Sequence, residues 1–146
     1  MQRPSPPPIP VWVGGRSPAA LRRVATRGGG WLPMFTSVEQ FAKLGLDIDQ
    51  RLATAGRLPS SVRKGVVVFA SLTEPGWTAD DSYEWVAGLF PAPIPHLDAY
   101  VVTGAAAGIA AKLDAYHVGA TIVAAAVASP SPMDMAPELL AAWSSR

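Results

Sequence analysis

Gly14-Gly15-Arg16-Ser17-Pro18 is the stretch of this 146-residue chain with the most chemistry in it. An apolar run from Ile9 to Val13 leads into the two glycines, and a helical period begins at Pro18. Glycine permits backbone angles with positive φ and lets a ligand approach the main chain closely. A helix behind such a loop offers unpaired N–H groups and the positive end of its dipole to an anion. Arg16 adds a guanidinium and Ser17 a hydroxyl, so the segment has the parts of a phosphate cradle. The same residues also suit an ordinary tight turn from strand to helix, and their types alone do not choose. The segment is neither a P-loop nor a GxGxxG fingerprint, because no GKS or GKT follows the glycines.

Other reactive residue types are scattered. His96 and His117 lack a second ligand at metal spacing and read as structural or solvent-facing, and no metal is expected. Asp80, Asp81 and Glu84 follow Thr78, where acids decorate a helix start, and a general-acid role is the alternative. Asp47 and Asp49 fall on different helix faces and read as surface charges. Trp12 and Trp31 read as core, whereas Trp77 and Trp85 are candidates for lining a substrate pocket. No residue stands out as catalytic. The chain has no cysteine, which excludes disulfides and thiolate metal sites.

Elements must position the loop, and the sequence patterns supply them. Residues 1–8 form a proline-rich lead-in unfit for a central strand. Ile9 to Val13 and Trp31 to Phe35 read as short strands, with the continuous run Gly65 to Ala70 the clearest strand and Thr121 to Val127 the last. Between them, Ala20, Leu21, Val24 and Ala25 make one apolar helical stripe ended by Gly28-Gly29-Gly30. Ser37 with Gln40 makes a capping box before Phe41, Leu44, Ile48 and Leu52. Residues 71–99 read as an irregular insertion holding a helix over about Ala79 to Phe90, and Val101-Val102 is too short to classify. Helices are expected over 105–117 and from Pro137 to Trp143. Strands alternating with helices predict an α/β fold with a parallel sheet. Four such strands are half of a (β/α)8 barrel, and a small doubly wound sheet fits the alternation too.

Bulk composition narrows the partners. Half the residues are apolar and 16% are charged, enough for a buried core. The net charge is +1 but lopsided: residues 1–38 hold Arg3, Arg16, Arg22, Arg23 and Arg27 and no acid. Residues 65–146 hold eight acids against Lys112 and Arg146. This asymmetry suits an anionic ligand near the first segment, or arginines that pair with acids elsewhere. Nucleic acid is not expected without interleaved aromatic and basic residues. No leader is expected from Met1-Gln2-Arg3-Pro4, and the run Ala120 to Ala128 is too short for a bilayer, so a soluble cytoplasmic protein is expected.

Residues 9–23, from Ile9-Pro10-Val11-Trp12-Val13-Gly14-Gly15 through Arg23, followed by Gly30-Trp31-Leu32-Pro33, resemble the luciferase-like monooxygenase superfamily. Val101-Val102-Thr103-Gly104 before an alanine-rich helix and Gly119-Ala120 before the last strand resemble its closing unit. The similarity is strong over 9–57, moderate over 100–127 and negligible over 71–99. Gly29 replaces an acid of the family pattern, and Ala105-Ala106-Ala107-Gly108 is a weaker helix start than the family's. The resemblance implies the C-terminal half of a (β/α)8 (TIM) barrel over residues 9–146 and a flavin- or deazaflavin-dependent oxidoreductase acting on a small organic molecule. It implies that Val13, Gly14, Gly15, Arg16 and Ser17 bind the phosphate of coenzyme F420, the preferred cofactor, or of FMN. It implies also that the chain alone lacks turnover. It then needs its N-terminal half, pairs with itself as a homodimer, or is a non-catalytic half-domain.

Overall fold

The helices begin where side chains can satisfy their orphan amides, and this sets the rhythm of the chain. The computed structural model describes residues 9–145, so the lead-in expected over 1–8 lies outside the described residues. β1 (Trp12–Val13) runs into α1 (Pro18–Arg27), where Ser17 Oγ accepts from the Ala20 N–H at 3.2 Å and Pro18 fills the first position. β2 (Gly30–Trp31) is followed by α2 (Val38–Thr54), started by the reciprocal box of Ser37 and Gln40. β3 (Arg63–Leu72) leads to α3 (Ala79–Gly88), which Thr78 and Asp81 cap in the same way. β4 (Val101–Gly104), α4 (Ala106–Asp114), β5 (Ile122–Val127) and α5 (Pro132–Ser144) complete the order.

All strand pairings within the sheet are parallel. The path runs β1-β2-β3, and β3 is the hub, pairing with β4 and β5 as well. Phe69 and Ala70 pair with both β4 and β5, which therefore lie on opposite edges of β3. Val67 pairs with Met34 on one edge and Ala124 on the other, so β2 and β4 share an edge, one after the other. The main sheet is thus β1-β2-β3-β5, four parallel strands, with β4 against the C-terminal end of β3. The α/β architecture with about four parallel strands expected from the alternation is the one found.

Several boundaries differ, for local reasons. β1 pairs over two residues instead of the five from Ile9, because Pro10 has no N–H and Ile9 and Val11 stand at the rim. β2 stops short of Phe35 because Pro33 cannot donate; Val67 N–H instead donates to the Pro33 carbonyl at 3.0 Å. β4 is a true strand, held by β3 and not by its own length. α5 starts at Pro132, five residues before the expected Pro137, which sits inside it. The bond lost there would have reached the Met133 carbonyl in the exposed first turn, where water can substitute.

The two faces of the sheet are finished differently. Toward the helices, Val66, Val68, Ala70 and Leu72 pack with Leu21, Val24, Phe41, Ile48, Leu52 and Leu113 in one buried cluster. Trp31 joins it, stacked on Phe41 with centroids 5.0 Å apart. The inner face carries Trp12, Leu32, Met34, Val67, Ile122 and Ala124, all at least partly exposed. Gly30 and Gly65 make room there, since a Cβ on either would run into the Trp12 or the Leu32 side chain. At the C-terminal ends, Phe35, Phe69 and Phe90 close over this face beside α3.

Candidate functional site

The Gly-Gly loop lies at the C-terminal end of β1, directly before α1. Gly15 has φ of +92°, a conformation an L side chain adopts only with strain. Its carbonyl accepts from Trp31 Nε1 at 2.9 Å. Trp31 is fully buried and its ring is clamped by Phe41, so the bond fixes how the Gly15–Arg16 peptide faces. Trp31 is core, as its sequence position suggests, and an anchor of the loop as well. Nothing in the linear spacing of sixteen residues marks that second role.

Val13 is half-buried against the main core, while Gly14, Gly15, Arg16 and Ser17 are exposed. Ala20 N–H is taken by Ser17 Oγ, Leu21 N–H donates to the Ser17 carbonyl and Pro18 has no N–H. The amides of Arg16, Ser17 and Ala19 have no partner of this kind, and α1 has no acid in its first turn. The Arg16 side chain turns the other way. Its guanidinium donates to the Phe35 carbonyl and lies 5.3 Å from the Tyr100 ring centroid. In the loop as it stands, Arg16 thus offers its backbone N–H.

Arg16 ties the loop to an aromatic cluster that the sequence reading missed. Phe35 stacks on Phe69 at 5.3 Å and meets Phe90 edge-on at 5.1 Å, with Tyr100 at 6.3 Å. Phe35 has φ of +52°, which for a bulky side chain costs energy that its surroundings must offset. The hydrogen bond from Arg16 holds the Tyr100 hydroxyl below its ordinary pKa, against a small opposing effect of burial and with help from Gln40. Positions 35, 69, 90 and 100 follow no common period, and only the parallel sheet brings them together.

The remaining candidates fall into place by their contacts. Trp77 Nε1 donates to the buried Ser71 Oγ at 3.0 Å, and Trp77 borders a cleft of about 260 Å³ with Glu74, Ser129, Ser131 and Asp134. Trp85 packs against the Phe69 cluster. Asp81 accepts from the Thr78 amide and hydroxyl, which lowers its pKa; a carboxylate held charged is a cap, not a general acid. Asp47 pairs with Arg51 one turn on, at the surface. Asp49 reaches across to Lys64 of β3 at 2.5 Å, so it joins α2 to the sheet and is more than a surface charge. His96 and His117 are exposed, and His117 lies beside the Trp143 ring. Among the described residues no group of three or more His, Asp or Glu is arranged to hold a metal. A cavity of about 460 Å³ is a groove between α1 and α2 on the helical side, away from the strand ends.

A parallel sheet with helices packed on one face is the architecture of half a (β/α)8 barrel. Residues 1–119 match the luciferase-like monooxygenase family, and the chain belongs to it. No curated protein matches the sequence significantly. Among solved structures, an F420-dependent secondary alcohol dehydrogenase in complex with an F420-acetone adduct aligns at TM-score 0.69 and 15% identity. The alignment covers 94% of this chain and 49% of that one. An EDTA monooxygenase from a Chelativorans species aligns at TM-score 0.67 and 15% identity, over 99% of this chain and 46% of its own. The coenzyme F420 dependent tetrahydromethanopterin reductase from Methanopyrus kandleri aligns at 0.62 and 16%, over 90% and 49%. The chain therefore spans about half the length of the structures it matches. No helix among the described residues is long and apolar enough to cross a membrane.

Proposed function

We propose that this chain, from residue 9 to 146, is the C-terminal half of a luciferase-like oxidoreductase and contributes the phosphate-binding end of a cofactor site. The observation that carries the reading is the Gly15 loop: positive φ, a carbonyl tied back to Trp31, and a helix start at α1 with no acid in its first turn. The loop fits a phosphate group, because it offers backbone donors, a hydroxyl on Ser17 and no nearby acid. Val13 supports the loop from the core, Gly14 and Gly15 admit the anion, and Arg16 and Ser17 donate. Coenzyme F420 is the preferred occupant and FMN the alternative; each carries a phosphate and a ring that passes hydride to or from a small organic molecule.

This chain's own part is to bind and orient. The phosphate is held at the strand ends, and the aromatic cluster of Phe35, Phe69 and Phe90 keeps water from the inner face beside it. Catalysis of this type also needs the substrate held at reacting distance from the ring and water excluded from both. The half-exposed inner face of Trp12, Met34 and Ile122 supports the view that a second half-barrel completes the site. The same exposure favours a second reading, a half-domain that binds phosphate or self-associates without turnover.

FMN and riboflavin differ by the phosphate alone, so their affinities test the loop. FMN should bind more tightly by about 1–3 kcal/mol, the range for charged hydrogen bonds. Gly15→Val should erase that difference, because a branched side chain holds φ of +92° only at a strain the loop would relieve by moving. Equal affinities for FMN and riboflavin in the unmodified chain would refute the loop's role.

A further inference from the structure

The peptide between Gly15 and Arg16 is trans and planar, so its carbonyl and its N–H point in opposite directions. The carbonyl accepts from Trp31 Nε1 at 2.9 Å, and Trp31 is fully buried, so the Arg16 N–H is turned away from that indole. One hydrogen bond still lets the peptide pivot about it. The loop keeps a single geometry only if the Arg16 side is anchored as well. Its side chain is that second anchor: the guanidinium donates to the Phe35 carbonyl and stands 5.3 Å from the Tyr100 ring centroid. The Tyr100 hydroxyl is bonded to the same guanidinium.

Arg16 is exposed, and ordering a long exposed side chain on one carbonyl costs rotamer entropy for a single bond. A guanidinium is a rigid fork of N–H donors, so it serves a second acceptor at little extra cost. Tyr100 supplies that acceptor and an aromatic ring for the charge. It is itself fixed in place. It follows the short helical turn Leu97–Ala99 and precedes β4, whose Val101 pairs with Phe69 of β3. Its ring meets the Phe35 ring at a steep angle with centroids 6.3 Å apart. Tyr100 therefore contacts both partners of the bond between Arg16 and Phe35. Gln40 bonds the same phenol and accepts from the Ser37 amide, which joins the start of α2 to the group.

We propose that Tyr100 is a positioning residue for the Gly15 loop: it fixes the Arg16 guanidinium against Phe35 and so holds the Arg16 N–H in the direction that serves a phosphate oxygen. This rests on the reading of the loop as a phosphate site, and it assigns that site a determinant far along the chain, at the start of β4. Tyr100 has no contact with the phosphate in this account and acts only through Arg16. Its loss should therefore lower affinity for the phosphate of a cofactor and spare the remainder. A residue that merely packs the aromatic cluster would weaken binding of both forms alike.

Affinities of the purified 146-residue chain for FMN and for riboflavin test this in a double-mutant cycle. Tyr100→Phe keeps the ring on Phe35 and drops the hydroxyl; it should weaken FMN about threefold and leave riboflavin unchanged. Arg16→Lys keeps the charge without the fork and should lose about as much. With Arg16→Ala already in place, Tyr100→Phe should change neither affinity further. Circular dichroism on each variant establishes that it is folded, and Arg16→Lys, at an exposed position, carries the test should Tyr100→Phe fail to fold. Equal losses for FMN and riboflavin overturn the proposal, as does an FMN preference that neither variant moves. Additive losses in the double variant overturn it too, since Tyr100 would then act without Arg16. Each of those outcomes leaves the phosphate loop standing. Equal affinities for FMN and riboflavin in the unmodified chain refute the loop itself and overturn the positioning role with it.

Discussion

The helix-facing and inner faces of this sheet come from the same strands, yet one is finished and the other is not. Val66 and Val68 are buried against helices, while Val67, between them, keeps part of its surface in water. Trp31 is enclosed and its N–H satisfied; Trp12, on the inner side of the neighbouring strand, is half-exposed over Gly30. Since each strand residue alternates sides, the difference cannot come from strand propensity. It comes from what each side packs against. The helices are encoded in this chain and cover one face, and among the described residues the inner face is covered only where Phe35, Phe69 and Phe90 gather at the strand ends.

The widest gap between the faces should show in Trp31→Ala against Ile122→Ala. Removing the buried indole loses its stack on Phe41 and should cost about 3–5 kcal/mol in denaturant unfolding. Ile122 already keeps part of its surface in water, and its truncation in a monomeric chain should cost about 1 kcal/mol. Equal costs would erase the distinction between the faces. Trp31→Phe sharpens the point: it keeps a ring on Phe41, drops the bond to Gly15, and should cost about 1 kcal/mol. The same variant should narrow the preference for FMN over riboflavin, which a purely packing role for Trp31 would leave unchanged.

A smaller effect sits at the strand ends. Arg16→Ala removes the guanidinium beside Tyr100, so the phenol should ionise at higher pH than in the unmodified chain, nearer the ordinary tyrosine value. Ultraviolet difference titration reads this directly, and an unmoved titration would show that Arg16 does not govern Tyr100. The smallest effect concerns α3. Asp81 is held below the usual carboxylate range by Thr78, so its contribution is present above the unfolded carboxyl pKa and fades as pH falls through the lower folded value. Thr78→Ala should lose about 1 kcal/mol at neutral pH and flatten that acid dependence.

Where one short signal suffices, the sequence was readable. Ser17-Pro18, Ser37 with Gln40, and the run Gly65 to Ala70 each mark an element locally, and α1, α2 and β3 lie where those signals put them. Boundaries set by a partner strand were not readable: β4 exists because β3 offers it an edge, and β1 shrinks because Pro10 cannot pair. The candidate site divides the same way. The glycines, Arg16 and Ser17 are contiguous and were visible; the tie from Trp31 to Gly15 and the Phe35, Phe69, Phe90 and Tyr100 cluster depend on parallel alignment of distant segments. Asp49 departs from the expected surface charge for a related reason, since its partner Lys64 lies on the next strand and not on its own helix.

The central claim is that the cofactor site is divided, with the phosphate end in this chain and the groups that complete catalysis elsewhere. Its most direct test is turnover by the purified 146-residue chain, reconstituted in turn with coenzyme F420 and FMN, with cofactor absorbance followed against candidate small organic substrates. The account predicts phosphate-dependent binding without turnover, and a gain in cofactor affinity when an N-terminal half-barrel from a family member is added. Robust turnover by the chain as a confirmed monomer would contradict it and place the catalytic groups among the residues described here.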